Sequence, residues 1–328
     1  MAPRLPRAAS STATFLLLRP SLAAAGRHHT LRLFSAASEP LVRVANLPAA
    51  GTGHIRVLEL NRPSARNAIS KALLAALRAE VDAVHAQYDP STGAELPLAT
   101  GAENGPTRAL VVASAVDTCF CAGADLKERR GFTQEETNEF LTNLRATFAA
   151  LADLPVPTIS AISSVALGGG LELALSTHFR VLSSNAAVGL PETRLGIIPG
   201  AGGTHRLAGL VGLGRARDLI LTGRRVAAPE AYFLGIADRL VEVVPEDERD
   251  GAAGILPAAR KAALSEAVRL AQEICEGGPV AIRAALQAVA WARPDKENEM
   301  YERVVATEDR NEALKAFQEK RKPVFKGR

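Results

Sequence analysis

Ala166-Leu167-Gly168-Gly169-Gly170-Leu171-Glu172-Leu173-Ala174 sets three consecutive glycines between a short apolar run and an apolar helix-forming segment. Glycine lets a backbone approach a ligand closely, and the start of a helix leaves N–H groups pointing outward along a favourable dipole. The triplet reads as a seat for an oxyanion. Taken alone, it also reads as a tight strand-to-helix turn. Just before it, Pro155-Val156-Pro157 introduces a strand over 158–162, and just after it Phe179-Arg180-Val181-Leu182 forms another. A second glycine turn, Cys121-Ala122-Gly123-Ala124-Asp125, follows the apolar strand 109–113 and could bring another N–H to the same carbonyl.

Two carboxylates stand beside these turns. Glu172 lies in the first turn of the glycine-opened helix between Leu171 and Leu173, and Glu192 follows Pro191 in an otherwise apolar, glycine-rich run. Burial beside another carboxylate raises a pKa and suits a general acid or base. Each glutamate alone also has a plain reading, as a helix-start carboxylate for Glu172 and a loop ion pair for Glu192.

Working outward, Val42-Arg43-Val44 and the alternating run 55–60 flank Gly51-Thr52-Gly53 as an opening hairpin. Ser70 caps a helix whose apolar positions are Leu73, Leu74, Leu77, Val81 and Val84, and which ends near Tyr88. Residues 89–108, rich in proline and glycine, read as a poorly ordered loop insertion. A helix is expected over 133–152. After Val244 a polar connector at 245–254 leads to helices around 258–276, 279–292 and 298–320. The expected architecture is an α/β core over 35–245 followed by a C-terminal helical region over 246–328.

The 328 residues are 47% hydrophobic and 4% aromatic, with a formal net charge of +4. That charge sits at the front: residues 1–34 contain Arg4, Arg7, Arg19, Arg27 and Arg32 without Asp, Glu or Lys, and removing these five turns +4 into −1. An arginine-, serine- and alanine-rich leader of this kind is a mitochondrial transit peptide pattern, with Arg32-Leu33-Phe34 followed by Ser35-Ala36-Ala37-Ser38 as a processing site. The expected location is the mitochondrial matrix. No apolar run is long enough to span a bilayer. Cys119, Cys121 and Cys275 are too few for a disulfide framework, and Cys-x-Cys without nearby His is no zinc site, so they read as small buried residues.

Three segments together carry a resemblance: Phe120-Cys121-Ala122-Gly123-Ala124-Asp125-Leu126-Lys127-Glu128, the glycine triplet with its flanks, and Pro191-Glu192-Thr193-Arg194-Leu195-Gly196-Ile197-Ile198-Pro199-Gly200-Ala201-Gly202-Gly203-Thr204. They resemble the signature segments of the enoyl-CoA hydratase (crotonase) family over about 42–326. The resemblance implies a spiral of ββα units with a C-terminal helical trimerisation region, assembled as a homotrimer or a dimer of trimers. It implies that Ala124 and Gly169 donate the oxyanion-hole N–H groups, and that Glu172 and Glu192 are the two glutamates of a hydratase. Gly168 lies against the substrate and Gly200 lines the water pocket. Arg66, Ala68, Ala122, Asp125, Leu126 and Lys127 fall in segments that contact CoA, and Phe317 and Lys320 in an element that reaches its adenine end.

The implied reaction is syn hydration of an α,β-unsaturated acyl-CoA, with Glu172 as base toward water and Glu192 supplying the α-proton. Coenzyme A is part of the substrate, and no metal or redox cofactor is required. Within the family the resemblance points to 3-methylglutaconyl-CoA or a related short branched enoyl-CoA, with generic short-chain enoyl-CoA as the alternative. Arg129, Arg130 and Arg206 are the candidates to match a distal carboxylate. A non-catalytic or isomerase-like member is a further reading, against which both glutamates speak. RNA binding, known among relatives, has a thin electrostatic footprint here: the helix after Ser70 carries only Lys71 and Arg78 beside Glu80 and Asp82, and the basic C-terminal Lys320-Arg321-Lys322 and Lys326-Gly327-Arg328 suit CoA phosphates or solvent equally.

Overall fold

The computed structural model describes residues 39–97, 105–244 and 251–328. The leader at 1–34 and its processing site lie outside the described residues. The opening hairpin pairs β1 (Val42–Pro48) antiparallel with β2 (His54–Leu60). Ser70 then caps α1 (Lys71–His85), its side chain accepting from Leu73 N.

From there the chain repeats one move, laying a strand in a large sheet, a short strand in a small sheet, and then a helix. The first turn is β3 (Thr107–Ser114), β4 (Cys119–Cys121), α2 (Leu126–Arg129) and α3 (Gln134–Ala152). The second is β5 (Thr158–Ile162), β6 (Val165–Leu167) and α4 (Gly169–Leu175). The third is β7 (Phe179–Ser183), β8 (Ala187–Gly189), a 3-10 turn at Glu192–Leu195 and α5 (Gly203–Val211). Next come α6 (Leu213–Thr222), β9 (Arg225–Ala227), α7 (Ala228–Leu234) and β10 (Arg239–Val241). The large sheet runs β1-β2-β3-β5-β7-β10, parallel from β2 onward, and the small sheet runs β4-β6-β8-β9. In both sheets each turn lies beside the previous one, with Ile159 opposite Val111 in the large sheet and Val165 opposite Cys119 in the small one. This is the expected ββα spiral.

Both faces of the large sheet are covered, which is why β3 is buried at every position. Leu58, Leu110, Val112, Ile162 and Leu182 point toward a core shared with Leu73, Leu77 and Val81 of α1 and Phe140, Leu144 and Phe148 of α3. Ile55, Val57, Val111, Ile159 and Val181 point the other way, onto Ala263, Ala267 and Ala271 of α8 (Gly251–Cys275). Alanines there let the helix lie close to the strands. The C-terminal helical region is therefore built into the core through α8, and continues as α9 (Pro279–Trp291), α10 (Pro294–Val305) and α11 (Glu308–Gln318).

Several expectations change. The segment expected as one helix over 298–320 is broken before Thr307, whose hydroxyl accepts from Arg310 N at 3.1 Å and restarts the chain as α11. The connector placed at 245–254 gives way to helix at Gly251. Within 89–108, residues 98–104 lie outside the described residues. The rest is organised: Asp89 accepts from the backbone of Ser91 and Thr92, Glu95 pairs with Arg108 and Arg283, and Thr107 and Arg108 already belong to β3. The three cysteines are buried thiols, and burial pushes Cys121 up to about 12.

Candidate active site

Parallel stacking of β4, β6 and β8 brings the segments that leave their C-terminal ends to one edge of the small sheet, where open α/β folds bind ligands. Ala124, the glycine triplet and Glu192 come from three successive turns of the spiral and meet there. Two glycines make the approach possible. A Cβ on Gly170 would lie 2.2 Å from the Cys121 carbonyl oxygen, inside van der Waals contact. Gly168, at φ +54°, turns the chain into α4, and a Cβ there would lie 2.9 Å from Glu192 Oε1.

A Cβ placed on Gly169 would be 3.5 Å from Ala124 N, so these two backbone segments are immediate neighbours. Ala124 is held by its flanks: Ile69 N donates to Gly123 O at 2.8 Å and Asp125 N to Ile69 O at 3.1 Å. Asp125 accepts from Arg62 Nη1 at 2.6 Å and from the N–H groups of Lys127 and Glu128, which fixes the loop from its far side. Neither Ala124 N nor Gly169 N donates to a protein acceptor among the described residues. They are a pair of free, preorganised donors.

Glu172 and Glu192 are both buried, and their environments differ. Glu172 Oε1 accepts from Ala201 N at 2.7 Å and from Gly203 N at 2.9 Å. Burial raises its carboxyl above the ordinary range, opposed by those two N–H groups and by the charges of Arg206 and Arg145. Glu192 has no comparable support. Its Oε2 is buried without a partner, and burial, reinforced by the charge of Glu172, pushes its carboxyl up to about 7. Ile197 N donates to Glu192 O, and Thr193 Oγ1 to Ile220 O on α6, which together hold the 3-10 turn in place. Both carboxyls are thus shifted toward holding a proton, with hydrogen-bond support for the anion at Glu172 and none at the Oε2 of Glu192.

A cavity of about 460 Å³ joins these groups, lined among others by Ala122, Ala124, Leu126, Gly168, Gly169, Glu172, Glu192 and Gly200. A model of the family described as enoyl-CoA hydratase/isomerase matches residues 98–328, the span holding all three glycine-and-glutamate segments. The chain belongs to the enoyl-CoA hydratase/isomerase family. It is accordingly an enzyme of the enoyl-CoA hydratase type, a carbon–oxygen lyase. It is 70% identical over 317 residues to methylglutaconyl-CoA hydratase 1, mitochondrial, of Pyricularia oryzae, covering 91% of each chain. It is 37% identical to mouse methylglutaconyl-CoA hydratase, mitochondrial, over 88% of this chain and 85% of that one. A crystal structure of enoyl-CoA hydratase from Bacillus anthracis superposes with a TM-score of 0.73 at 35% identity, covering 88% of this chain and 100% of that one.

Other residues expected in the site do not line this cavity. Arg66 (φ +52°) accepts Ala122 N on its carbonyl at 3.1 Å, and Ala68 O accepts from Arg62 Nη1, so both brace the Ala122–Ala124 loop without lining the cavity. Lys127 is exposed on α2. Phe317 and Lys320 do not line the cavity; Phe317 is 84% exposed, and the tail beyond α11 turns back to donate Lys326 N and Gly327 N to Asp309. Of the three arginines expected to face a distal carboxylate, only Arg129 lines the cavity. Arg130 is exposed, and Arg206 Nη1 donates to Ala201 O behind the turn. Arg145 lines the cavity and was not anticipated, because a lone arginine in mid-helix gives no sequence signal. Among the described residues no His, Cys, Asp or Glu cluster could hold a metal ion, and no helix is long and apolar enough to cross a membrane.

Proposed function

We propose that the chain hydrates 3-methylglutaconyl-CoA, or a closely related short branched enoyl-CoA, to the 3-hydroxyacyl-CoA in the mitochondrial matrix, as a homotrimer or dimer of trimers. The observation that carries the reading is the pairing of two free N–H donors with two buried glutamates in one cavity, one accepting two backbone N–H groups and the other with an unpartnered oxygen. The thioester oxygen gains negative charge as water attacks Cβ, so donors at Ala124 N and Gly169 N favour the enolate over the ground state. Glu172, whose anion accepts from Ala201 N and Gly203 N, takes the proton from water. Glu192, pushed up to about 7, holds its proton in a substantial share of molecules at neutral pH and gives it to Cα. The balance needs no metal or redox cofactor. Asp125 is assigned to positioning the Ala124 loop, with Leu126 and Ala122 beside the thioester.

The acyl group is argued from the relatives, two of which are methylglutaconyl-CoA hydratases by name and mitochondrial by name. The basic leader at 1–34 supports the same compartment. RNA binding gains no support from α1, where Lys71 stands beside Glu136 and Arg78 beside Asp82, so the helix presents no excess of positive charge there. The test is the loss of enoyl-thioester absorbance for crotonyl-CoA and 3-methylglutaconyl-CoA. Glu172→Gln and Glu192→Gln should each lower kcat by at least about 10². Normal rates in both variants would overturn the assignment.

A further inference from the structure

Arg145 is the one cation on α3 that lines the cavity, and it is tied into the catalytic frame. Its Nε donates to Gly200 O at 2.7 Å, and the next residue, Ala201, donates its N–H to Glu172 Oε1. Its charge reaches Glu172 and opposes the effect of burial there. The two Nη groups make no hydrogen bond or ion pair with other described residues, so the forked end of the guanidinium is unspent. The cavity lining also includes Leu141 and Leu144 from α3 and the exposed Ile197 and Ile198. Arg145 is exposed to solvent as well as lining the cavity, and an arginine with both Nη groups free can take a carboxylate in its fork.

We propose that Arg145 is the specificity residue of this site, its free Nη face taking a carboxylate carried on the β-substituent of the acyl group. The inference rests on the hydratase reading above. Water attacks Cβ between Glu172 and Glu192, so a carboxylate borne on a methylene at Cβ lies close to both glutamates. Without a cation there, that carboxylate would face the buried Glu172 as a like charge. The other arginines are less suited. Arg206 spends Nη1 on Ala201 O and lies outside the lining, and Arg129 lies over the Phe140 ring with no hydrogen bond to the Gly200–Gly203 segment among the described residues.

The test compares kcat/KM for 3-methylglutaconyl-CoA with that for crotonyl-CoA in the full-length protein, in wild type, Arg145→Met, Arg145→Lys and Arg129→Met. Arg145→Met should lower the ratio of the two by roughly 10², most of it through KM, since a bidentate charge-assisted contact is lost. Arg145→Lys, which keeps the charge and serves if the Met variant does not fold, should lower it by roughly tenfold. Arg129→Met should move the ratio less than either. A ratio untouched by both Arg145 variants, or moved more by Arg129→Met, overturns the inference and leaves the hydratase reading standing. Wild type that hydrates neither thioester overturns both.

Discussion

Replacing Glu192 by Gln should make the protein more stable, increasingly so as the pH rises, while abolishing its chemistry. The carboxyl of Glu192 is moved from an ordinary value of 4.5 to about 7 by burial, with the charge of Glu172 adding to the shift. A carboxyl whose folded value is raised contributes stability that is complete below the unfolded value and disappears as pH climbs through the folded one. The window is therefore pH 4.5 to about 7. At 1.36 kcal/mol per unit the shift corresponds to about 3 kcal/mol, and solvent entering through the open cavity reduces this to roughly 2 kcal/mol. Glutamine titrates nowhere in this range, so the variant escapes the alkaline loss. Urea unfolding of wild type and Glu192→Gln at fixed protein concentration, from pH 5 to pH 8.5, should show a stability difference that widens by roughly 2 kcal/mol and levels off above pH 8. On the same basis the wild-type kcat/KM for hydration should fall above about pH 7, as the acid is lost. A difference between the two proteins that stays constant across the range would refute the raised carboxyl and, with it, the assignment of Glu192 as proton donor.

Two further substitutions address the frame. Gly170→Ala would set a methyl against the Cys121 carbonyl, forcing β4 and α4 apart; it should cost roughly 2–3 kcal/mol in thermal or urea unfolding, and a variant within 0.5 kcal/mol of wild type would show that the contact yields. Asp238→Ala would leave the buried Arg180, now paired with it at 2.6 Å, without its counter-charge; a loss of roughly 3 kcal/mol is expected, and Arg180→Met on that background should recover part of it, or the pair contributes nothing.

The spiral was partly legible. Large-sheet strands such as 158–162 are apolar runs bounded by proline or glycine, and the helix starts at Ser70 and Thr133 carry their own caps. The small-sheet strands are three residues each and too short for any periodicity to register, so the second layer of each turn stayed hidden. The same limit hid the helices between Gly203 and Leu234, where glycine and arginine interrupt the apolar pattern. In the site, Ala124, Gly169, Glu172 and Glu192 could be named because glycine turns mark close backbone approach. What no local pattern could supply was the support behind them. The Ala201 and Gly203 amides reach Glu172 from 29 and 31 residues away, and Arg145 reaches Gly200 across 55. Such partners depend on how far the spiral has turned, which is a property of the stacked sheets.

That support decides which way protons run under the proposed mechanism. Hydration leaves Glu172 protonated and Glu192 ionised, so the proton goes to the carboxyl that accepts two N–H groups and leaves the one whose Oε2 has no partner. Protonating Glu172 weakens two hydrogen bonds from Ala201 and Gly203, and ionising Glu192 places an unpartnered buried anion at Oε2. The swapped pair is thus higher in free energy than the starting pair, and a proton returning from Glu172 to Glu192, directly or through water admitted on product release, runs downhill. The asymmetry between two glutamates that look alike in sequence is what readies the site for the forward reaction at neutral pH.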